Sequence, residues 1–385
     1  MRNNSTTLLL CFVLIIVVVA SCSNPGPSDS DTEDGDTGVT GIVTTFAGPP
    51  EGDQTEGCVD GIGTDARFQR PYGITSDGTY LYVMDYWNHK IRRIEIATRE
   101  VTILVGPAGS DISSGDTDAT GNDARFYFPA GITTDGTNLY VVDNGNNKIR
   151  KVVIATGVVT TIAGPAQGTT TSGDADETGN AARFNGPRGI TINGNYLYVA
   201  DDFNHKIRRI DITTGAVTTF VGPAEGDTTS GDADGTGNSA RFNRPSDITT
   251  DGTHLFVADT LNNKVRQIVI ATGVVTTLAG PAEGTTTTGD TDGTGNDARF
   301  YFPYGITTDG NNLFVADYGN NKIRKVVILS REVTTLAGPS AGDTTSGDAD
   351  GTGNDARFDQ PIGVIEVHND LYVTDYVNHK IRKIE

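Results

Sequence analysis

Hydrophobic and polar residues alternate along this chain in short segments rich in Val, Ile, Thr and Tyr. Four such segments follow one another at Gly189–Ile192, Leu197–Asp201, Lys206–Ile212 and Val217–Gly222. Asn, Asp, Thr and Gly lie between them, and these residues supply the unusual backbone dihedrals that hairpin turns require. Because no segment has a sustained helical period, the pattern predicts an all-β chain of antiparallel strands.

The same pattern repeats along the chain at a constant interval. The tripeptide Ala-Arg-Phe recurs every 58 residues, and its copies begin at Ala66, Ala124, Ala182, Ala240, Ala298 and Ala356. Periods of this length indicate propellers, solenoids or arrays. Six four-stranded sheets bury both of their faces only when they stand around a common axis, so the sequence predicts a six-bladed β-propeller.

The first and last repeats predict how the propeller closes. The segment Gly41–Pro49 stands alone and matches the fourth strand of a repeat, whereas the last repeat stops after its third strand. We therefore expect Val43–Gly48 to pair with Lys380–Ile384 and to complete the last blade. Such pairing avoids an exposed edge strand.

Two motifs in each repeat resemble a known family. The segment LYVADxxNxKIRxI is similar to the NHL repeat, and the preceding GDxDGTGNxARFxxPxGI is similar to the linker of many bacterial NHL propellers. The resemblance covers residues 39–385. It implies a six-bladed propeller but no single function, because NHL propellers of this kind include scaffolds, sensor domains and a few enzymes.

Composition narrows the class of partner. The net charge of −20, from 29 basic and 49 acidic residues, argues against nucleic acid, whose phosphates require a basic surface. The hydrophobic content of 36% suits one closed globular domain over residues 39–385, which we expect to be monomeric.

Residues 1–21 resemble the signal peptide of a bacterial lipoprotein. The apolar run Leu8–Ala20 follows Arg2 and is too short to span a bilayer comfortably. The segment Val19–Cys22 looks like a lipobox, which implies that Cys22 carries the lipid. An ordinary cleaved signal with an incidental cysteine is the alternative.

Residues 22–38 form an acidic tether after that cysteine. The tether has no aliphatic side chain, so it is expected to be solvated and to separate the lipid from the propeller. We therefore expect an extracytoplasmic protein that is lipid-anchored to the cell envelope and meets the membrane only through that anchor. Ser23 after the cysteine favours the outer membrane, by resemblance to lipoprotein sorting.

The acidic loops between repeats are a candidate metal site. Asp348, Asp350 and Asp355 offer closely spaced carboxylates that suit weak calcium binding, and no other cofactor is expected. Their repetition and the absence of flanking helices favour a structural role instead. In that role they cap backbone amides or pair with the Arg of Ala-Arg-Phe. Cys58 replaces the first of these acids in the first loop, either by drift or as a redox or metal handle.

The sequence contains no recognisable catalytic set. The Asp of LYVAD and the Arg of KIR recur in all six repeats, whereas a catalytic residue is usually needed once. No unique Ser, His and Asp group and no converging metal ligands stand out. The sequence thus predicts a non-catalytic binding or scaffold module for a protein, peptide or glycan ligand. The alternative is a propeller hydrolase or lyase with a metal-assisted site at the channel mouth.

The candidate ligand site is one face of the propeller. Strand parity brings the loops before the first strand of each repeat and the turns after its second strand to one face, around the channel mouth. Side chains there vary between repeats and suit a peptide or a sugar chain. The alternative is that several of them plug the channel or pack between blades. The candidates are Arg70, Tyr72, Tyr86, Trp87, Tyr127, Phe128, Arg188, Phe203, Arg244, Tyr301, Tyr304, Tyr318 and Tyr376.

Overall fold

The computed structural model describes residues 39–385. The predicted signal peptide at 1–21, the predicted tether at 22–38 and the predicted lipidation site Cys22 lie outside the described residues. Over the described range the strands form six antiparallel sheets around a central channel. This is the six-bladed propeller that the repeats predict. In the same range, no helix has the length and apolar character that a membrane span requires.

Each blade contains four main strands, labelled a to d from the channel outwards. Blades 1 to 3 consist of Pro71–Ser76, Tyr80–Asp85, Lys90–Glu95 and Glu100–Val105; Pro129–Thr134, Asn138–Asp143, Lys148–Val153 and Val159–Ala163; and Pro187–Asn193, Tyr196–Asp201, Lys206–Asp211 and Val217–Val221. Blades 4 to 6 consist of Pro245–Thr250, His254–Asp259, Lys264–Val269 and Val274–Ala279; Pro303–Thr308, Asn312–Asp317, Lys322–Val327 and Glu332–Ala337; and Pro361–Val367, Asp370–Asp375, Lys380–Ile384 and Ile42–Ala47.

The N-terminal strand completes blade 6, as predicted. Ile42–Ala47 pairs antiparallel with Lys380–Ile384, and Val43 lies opposite Ile384. One boundary differs from the expected one, because strand a of blade 3 begins at Pro187 rather than two residues later. The candidates Tyr72, Arg188 and Tyr304 directly follow the equivalent Pro in blades 1, 3 and 5. They therefore belong to strand a and not to the loop before it.

The acidic loops add a short outer strand that the sequence pattern did not predict. These two-residue strands pair with strand d in four blades, at Gly61–Ile62, Gly235–Thr236, Gly293–Thr294 and Gly351–Thr352. Single bridges between Thr120 and Val158 and between Thr178 and Ala216 take their place in blades 2 and 3. Each loop thus crosses its own blade from the outer edge to the channel.

Short 3-10 helices occupy two repeated positions. One set precedes Ala-Arg-Phe, at Gly63–Asp65, Gly121–Asp123, Gly179–Ala181, Gly237–Ser239, Gly295–Asp297 and Gly353–Asp355. The other set lies between strands b and c, at Tyr86–Asn88, Asn144–Asn146, Asp202–Asn204, Thr260–Asn262 and Tyr318–Asn320. A His or Asn in the left-handed conformation ends each helix of the second set, as His205 does with φ 57°. This residue turns the chain into strand c.

Glycine in strand a lets the inner strands of neighbouring blades approach closely. A Cβ added to Gly305 would lie 1.9 Å from the backbone oxygen of Ile362, and one added to Gly131 would lie 2.2 Å from that of Arg188. Side chains larger than hydrogen therefore do not fit between these strands. Blade 4 carries Asp247 at this position and is the exception.

Candidate ligand-binding site

A buried ion pair joins strands b and c in every blade. In blade 5, Nη1 of Arg324 lies 2.8 Å from Oδ2 of Asp317, and both side chains are fully buried. Asp317 also accepts hydrogen bonds from the Tyr301 backbone and the Asn320 side chain, each 2.8 Å long. The equivalent pairs are Asp85–Arg92, Asp143–Arg150, Asp201–Arg208, Asp259–Arg266 and Asp375–Arg382. Burial raises the pKa of Asp317, and the attraction of Arg324 opposes that rise.

The acidic loops extend this pair into a network. Nη2 of Arg324 lies 2.7 Å from Asp292, and Nζ of Lys322 lies 2.6 Å from Asp290. The guanidinium of Arg324 also lies 5.2 Å from the ring centroid of Phe300, the Phe of Ala-Arg-Phe. The network repeats around the propeller, so its acids have a structural role.

One of the two roles expected for the loop acids is confirmed, because Asp290 and Asp292 accept hydrogen bonds from the backbone N–H groups of Gly342 and Thr335. The other, pairing with the Arg of Ala-Arg-Phe, is wrong for these two acids. The sequence suggested the Arg of Ala-Arg-Phe, but that residue in blade 5, Arg299, donates to the backbone oxygens of Asn296 and Ala298. In other blades this Arg reaches a different loop acid at 3.5 to 3.7 Å, as in the pair Arg67–Asp53. Only the fold decides which Arg meets which acid.

The three candidate calcium ligands occupy different environments. Asp348 lies 3.2 Å from Lys380, Asp350 lies 2.7 Å from Arg382, and Asp355 is exposed in the last 3-10 helix. Within residues 39–385, no three His, Cys, Asp or Glu side chains form a group that would hold a metal. Calcium binding at these loops stays a prediction, in which the ion would compete with Lys380 and Arg382.

Blade 1 departs from the network at Cys58. In the other five blades the Lys of strand c binds a loop carboxylate at 2.6 to 3.2 Å. In blade 1, Lys90 is fully buried and donates to the backbone oxygen of Gly109 at 2.6 Å, and Sγ of Cys58 lies 3.0 Å from the same oxygen. Burial lowers the pKa of Lys90, and the attraction of Cys58, Asp85 and Asp111 opposes that fall.

The channel mouth is ringed by residues with a left-handed backbone. Arg244 has φ 57°, and its N–H donates to Nδ1 of His205 in the preceding blade at 3.1 Å. Phe302 has φ 53° and donates in the same way to Oδ1 of Asn263. The ring is Arg70, Phe128, Gly186, Arg244, Phe302 and Gln360. Because the strain recurs in every blade and links adjacent blades, it belongs to the fold, whereas the side chains at these positions differ.

Three large side chains from alternate blades close the mouth. Arg188 of blade 3 reaches across the axis, and its Nη1 lies 2.6 Å from the hydroxyl of Tyr72 in blade 1. Its guanidinium also lies 5.6 Å from the ring centroid of Tyr304 in blade 5. Tyr72 is only 7% exposed. These three candidates form a plug within strand a, as one of the two alternatives anticipated.

Aromatic side chains pack beside the plug near blade 1. The rings of Tyr72 and Tyr86 stack with centroids 5.0 Å apart, and Tyr86 stacks on Phe128 at the same distance. Arg70 lies 5.0 Å from the ring centroid of Tyr376. The rim is more open, and the exposed candidates there are Trp87, Tyr127, Phe203 and Tyr301.

A pocket of about 300 Å³ opens on the other side of the plug, between blades 3 and 5. Four candidates meet there: Arg188, Arg244, Tyr304 and Tyr318. The rest of the lining is not among the candidates and consists of Asp202, Ser246, Thr260, Leu261 and Phe302. The repeats do distinguish Asp202, because no other repeat has an acid at this position. The equivalent residues are Tyr86, Asn144, Thr260, Tyr318 and Tyr376.

Asp202 is the centre of the polar half of this pocket. Its carboxylate accepts hydrogen bonds from Nε of Arg188 and from Nε and Nη2 of Arg244. The guanidinium of Arg244 lies 3.8 Å from the ring centroid of Phe203. Burial works against the charge of Arg188, but its tyrosine neighbours and Asp202 raise its pKa well above the usual value, so it stays cationic.

Asp247 lies in a smaller cavity of about 80 Å³ within the channel. Its carboxylate accepts a hydrogen bond from the backbone of Ile306 at 3.0 Å, and it forms no ion pair within the described residues. Burial raises its pKa to about 7. The channel therefore holds one acid that the sixfold pattern does not require.

Comparison with known proteins supports the family resemblance. No protein-family model matches the chain. NHL repeat-containing protein 2 of Homo sapiens is 28% identical over 315 residues, which cover 74% of this chain and 42% of that protein. The chain spans 26% to 42% of the length of the curated relatives it matches. Its homologues thus include NHL repeat-containing proteins.

Solved structures show the same fold. Crystal structures of auxiliary nutrient binding proteins from Bacteroides ovatus and Bacteroides thetaiotaomicron match with TM-scores of 0.65 and 0.64, at 17% and 19% identity. Each match covers 89% of this chain and 76% of the other chain. At such low identity the likeness shows the fold alone. The protein is a six-bladed β-propeller with NHL repeat-containing homologues.

Proposed function

We propose that this chain is a non-catalytic binding module whose ligand, a glycan, a peptide or a segment of a protein, binds in the mouth pocket. The observation that carries the proposal is the pocket of about 300 Å³, a volume within the range of small-ligand sites. The residues that line this pocket differ from blade to blade, whereas the buried Asp–Arg pair is the same in all six blades. The description of two propellers of this fold as auxiliary nutrient binding proteins supports ligand binding.

The pocket combines apolar walls with fixed polar groups. The rings of Tyr304 and Tyr318 lie with centroids 4.9 Å apart. Thr260 donates to Oγ of Ser246 at 2.6 Å, and Ser246 donates to the backbone oxygen of Tyr304 at 2.8 Å. These contacts hold the lining before a ligand arrives, which reduces the entropy cost of binding. Aromatic and Arg side chains are the residues that most often dominate binding energy.

A longer ligand would continue from the pocket onto the rim. Phe203 and Tyr301 flank the pocket in blades 3 and 5, whereas Trp87 and Tyr127 lie towards blades 1 and 2. These exposed rings offer flat apolar surfaces of the kind that sugar rings and peptide side chains stack on. We propose them as secondary contacts and Arg188, Arg244, Tyr304 and Tyr318 as primary ones.

The test is a screen of the purified protein against glycan and peptide arrays, followed by calorimetry on the ligand found. Tyr318→Ala should weaken binding by about 1–2 kcal/mol, because the variant removes one wall of the pocket. Thr260 occupies the equivalent position in blade 4, so a small side chain is compatible with this turn. Thr253→Ala, in an a to b hairpin, is the control. Equal affinity for Tyr318→Ala and the parent would contradict the proposal, and a loss for Thr253→Ala would move the site to the other face.

A hydrolase or lyase at the mouth is the alternative. A metal-assisted mechanism would need converging ligands, and the part of the chain that the structure describes has no group of three suitable side chains. No specific observation favours this alternative. Turnover of the array ligand by the protein would revive it.

We also propose an extracytoplasmic, lipid-anchored location. The support is the lipobox-like segment before Cys22 and the acidic tether after it, both known from sequence alone. Cys22→Ala should release the protein from the membrane fraction. Continued tight anchoring of that variant would contradict the proposal.

A further inference from the structure

The charges that line the mouth pocket do not balance. The two guanidinium groups of Arg188 and Arg244 share the single carboxylate of Asp202. Among the described residues that line the pocket, no second acid is present. The pocket therefore carries a net positive charge within a protein whose net charge is −20.

The arginines of strand c show the opposite ratio. Arg208 lies 2.9 Å from Asp201 and 2.6 Å from Asp176, so two carboxylates meet one guanidinium. The same arrangement recurs at Arg92, Arg150, Arg266, Arg324 and Arg382. This fold can thus surround an arginine with two of its own acids, even where Nε stays without a hydrogen-bond partner, as in Arg92, Arg266, Arg324 and Arg382. At the mouth it does not.

Both pocket arginines keep a free donor. Arg188 uses Nε for Asp202 and Nη1 for Tyr72, and Arg244 uses Nε and Nη2 for Asp202. In residues 39–385, no acceptor is bound to Nη2 of Arg188 or to Nη1 of Arg244. Neither nitrogen is a buried unsatisfied atom, so both remain open to a ligand or to solvent.

We propose that the ligand of this pocket is an acidic sugar, a pyranose ring bearing a carboxylate that Arg188 and Arg244 hold together. The inference rests on the proposed function and names its ligand class. A carboxylate accepts charge-assisted hydrogen bonds from two guanidinium groups and supplies the missing negative charge. The sugar ring lies against the aromatic walls formed by Phe302, Tyr304 and Tyr318.

The shape of the pocket favours a sugar over an acidic peptide side chain. An Asp or Glu side chain would satisfy the arginines but is too small to cover the exposed parts of Phe302, Tyr304 and Tyr318, which are all half-buried. A pyranose ring fits a volume of about 300 Å³ and presents C–H groups to aromatic faces and hydroxyls to polar ones. An acidic peptide is therefore an outcome of the test that would overturn the inference.

The test compares matched ligands by calorimetry on the full-length protein. Galacturonic acid and its oligomers are compared with galactose and its oligomers, and with a short acidic peptide. The acidic sugars should bind at least about tenfold more tightly than the neutral ones, since each charge-assisted hydrogen bond adds to affinity. Equal binding of the two sugars, or tighter binding of the peptide, would overturn the inference.

Arg244→Gln tests the role of the guanidinium at a position where Gln fits. Gln360 occupies the equivalent site in blade 6 with the same φ of 57°. The variant should lose the preference for acidic sugars while keeping its affinity for neutral ones. Arg209→Gln is the matched control, because Arg209 lies on strand c outside the pocket and Gln267 has the equivalent place in blade 4. A preserved preference in Arg244→Gln, or a lost one in Arg209→Gln, would overturn the assignment.

Asp202→Asn gives the opposite expected result. Asn144 has the same position in blade 2, so Asn is compatible with the turn. When the carboxylate of Asp202 is removed, both arginines become available to the ligand. The preference for acidic sugars should therefore rise further. Weaker binding of acidic sugars would count against the inference. If neutral sugars bind through Tyr318 without any acid preference, only the inference fails. If neither sugars nor peptides bind, the proposed function fails as well.

Discussion

Two regions of each blade come from the same repeat but differ in how much their residues vary from blade to blade. The buried pair of a strand b Asp and a strand c Arg is present in all six blades. The strand a position at the mouth carries Tyr72, Ala130, Arg188, Ser246, Tyr304 and Ile362. Each buried charge of this pair needs a partner of opposite charge, so neither residue can be exchanged freely. The mouth has no such requirement, so its side chains can serve a ligand.

Blade 1 and blade 4 each break one of these rules. Blade 1 has Cys58 where the network has a carboxylate, and in the part of the chain that the structure describes Lys90 forms no ion pair and donates to the backbone oxygen of Gly109. Blade 4 has Asp247 where strand a has glycine in the other blades. Both exceptions add a poorly compensated group to a packed region, so each is a place where stability can be measured.

The largest expected effect comes from breaking the network. Asp317→Ala leaves Arg324 buried without its main partner and should lower the free energy of unfolding by about 3–5 kcal/mol. Urea denaturation measures the change. Glu332→Ala, an exposed acid in the same blade, is the control and should change stability by less than about 0.5 kcal/mol. Similar values for the two variants would show that the network is not required.

The next effect is a pH dependence at Asp247. Burial raises the pKa of its carboxyl to about 7, above the ordinary range that it has in the unfolded chain. The fold therefore prefers the protonated form, and this contribution is present below about pH 4 and is lost as pH rises through about 7. Asp247→Asn should match the parent at low pH and gain roughly 1–3 kcal/mol at pH 8. A stability difference that does not vary with pH would contradict this assignment.

A smaller gain is expected from restoring the network in blade 1. Cys58→Asp gives Lys90 the carboxylate that its counterparts have, and it should stabilise the fold by about 1–2 kcal/mol. Cys58→Ser is the control, since it is polar but uncharged and should give no gain. Thermal unfolding of the two variants separates the contribution of charge from that of size. Equal melting temperatures would show that Lys90 needs no counter-ion.

The smallest effect belongs to the rim. Trp87 is 43% exposed and contacts Phe128 and Arg70 only at the edge of the mouth. Trp87→Ala should cost less than about 1 kcal/mol of stability. Calorimetry with the pocket ligand then measures how far the site extends. Unchanged affinity would confine the ligand to the pocket, and a loss would add blade 1 to it.

The sequence predicted a structural role for the network residues but not which of them pair. The sixfold recurrence of Asp317, Arg324 and their counterparts indicated a structural role. It did not reveal that Asp292 and Phe300 both meet Arg324, because the loop, the tripeptide and strand c are separate in sequence. For the same reason the outer strand at Gly293–Thr294 was missed, since two residues carry no alternating pattern.

The sequence by itself determined the number of blades, the order of strands and the closure of the last blade by the N-terminal strand. These features follow from a fixed period and from strand alternation, which are properties of neighbouring residues. Only the tertiary structure decided which mouth residues meet. Arg188 and Tyr72 are 116 residues apart and bond across the axis, while Asp202 joins Arg188 to Arg244. Repeats of one length give every blade the same frame, so they carry no information about which side chains reach across it.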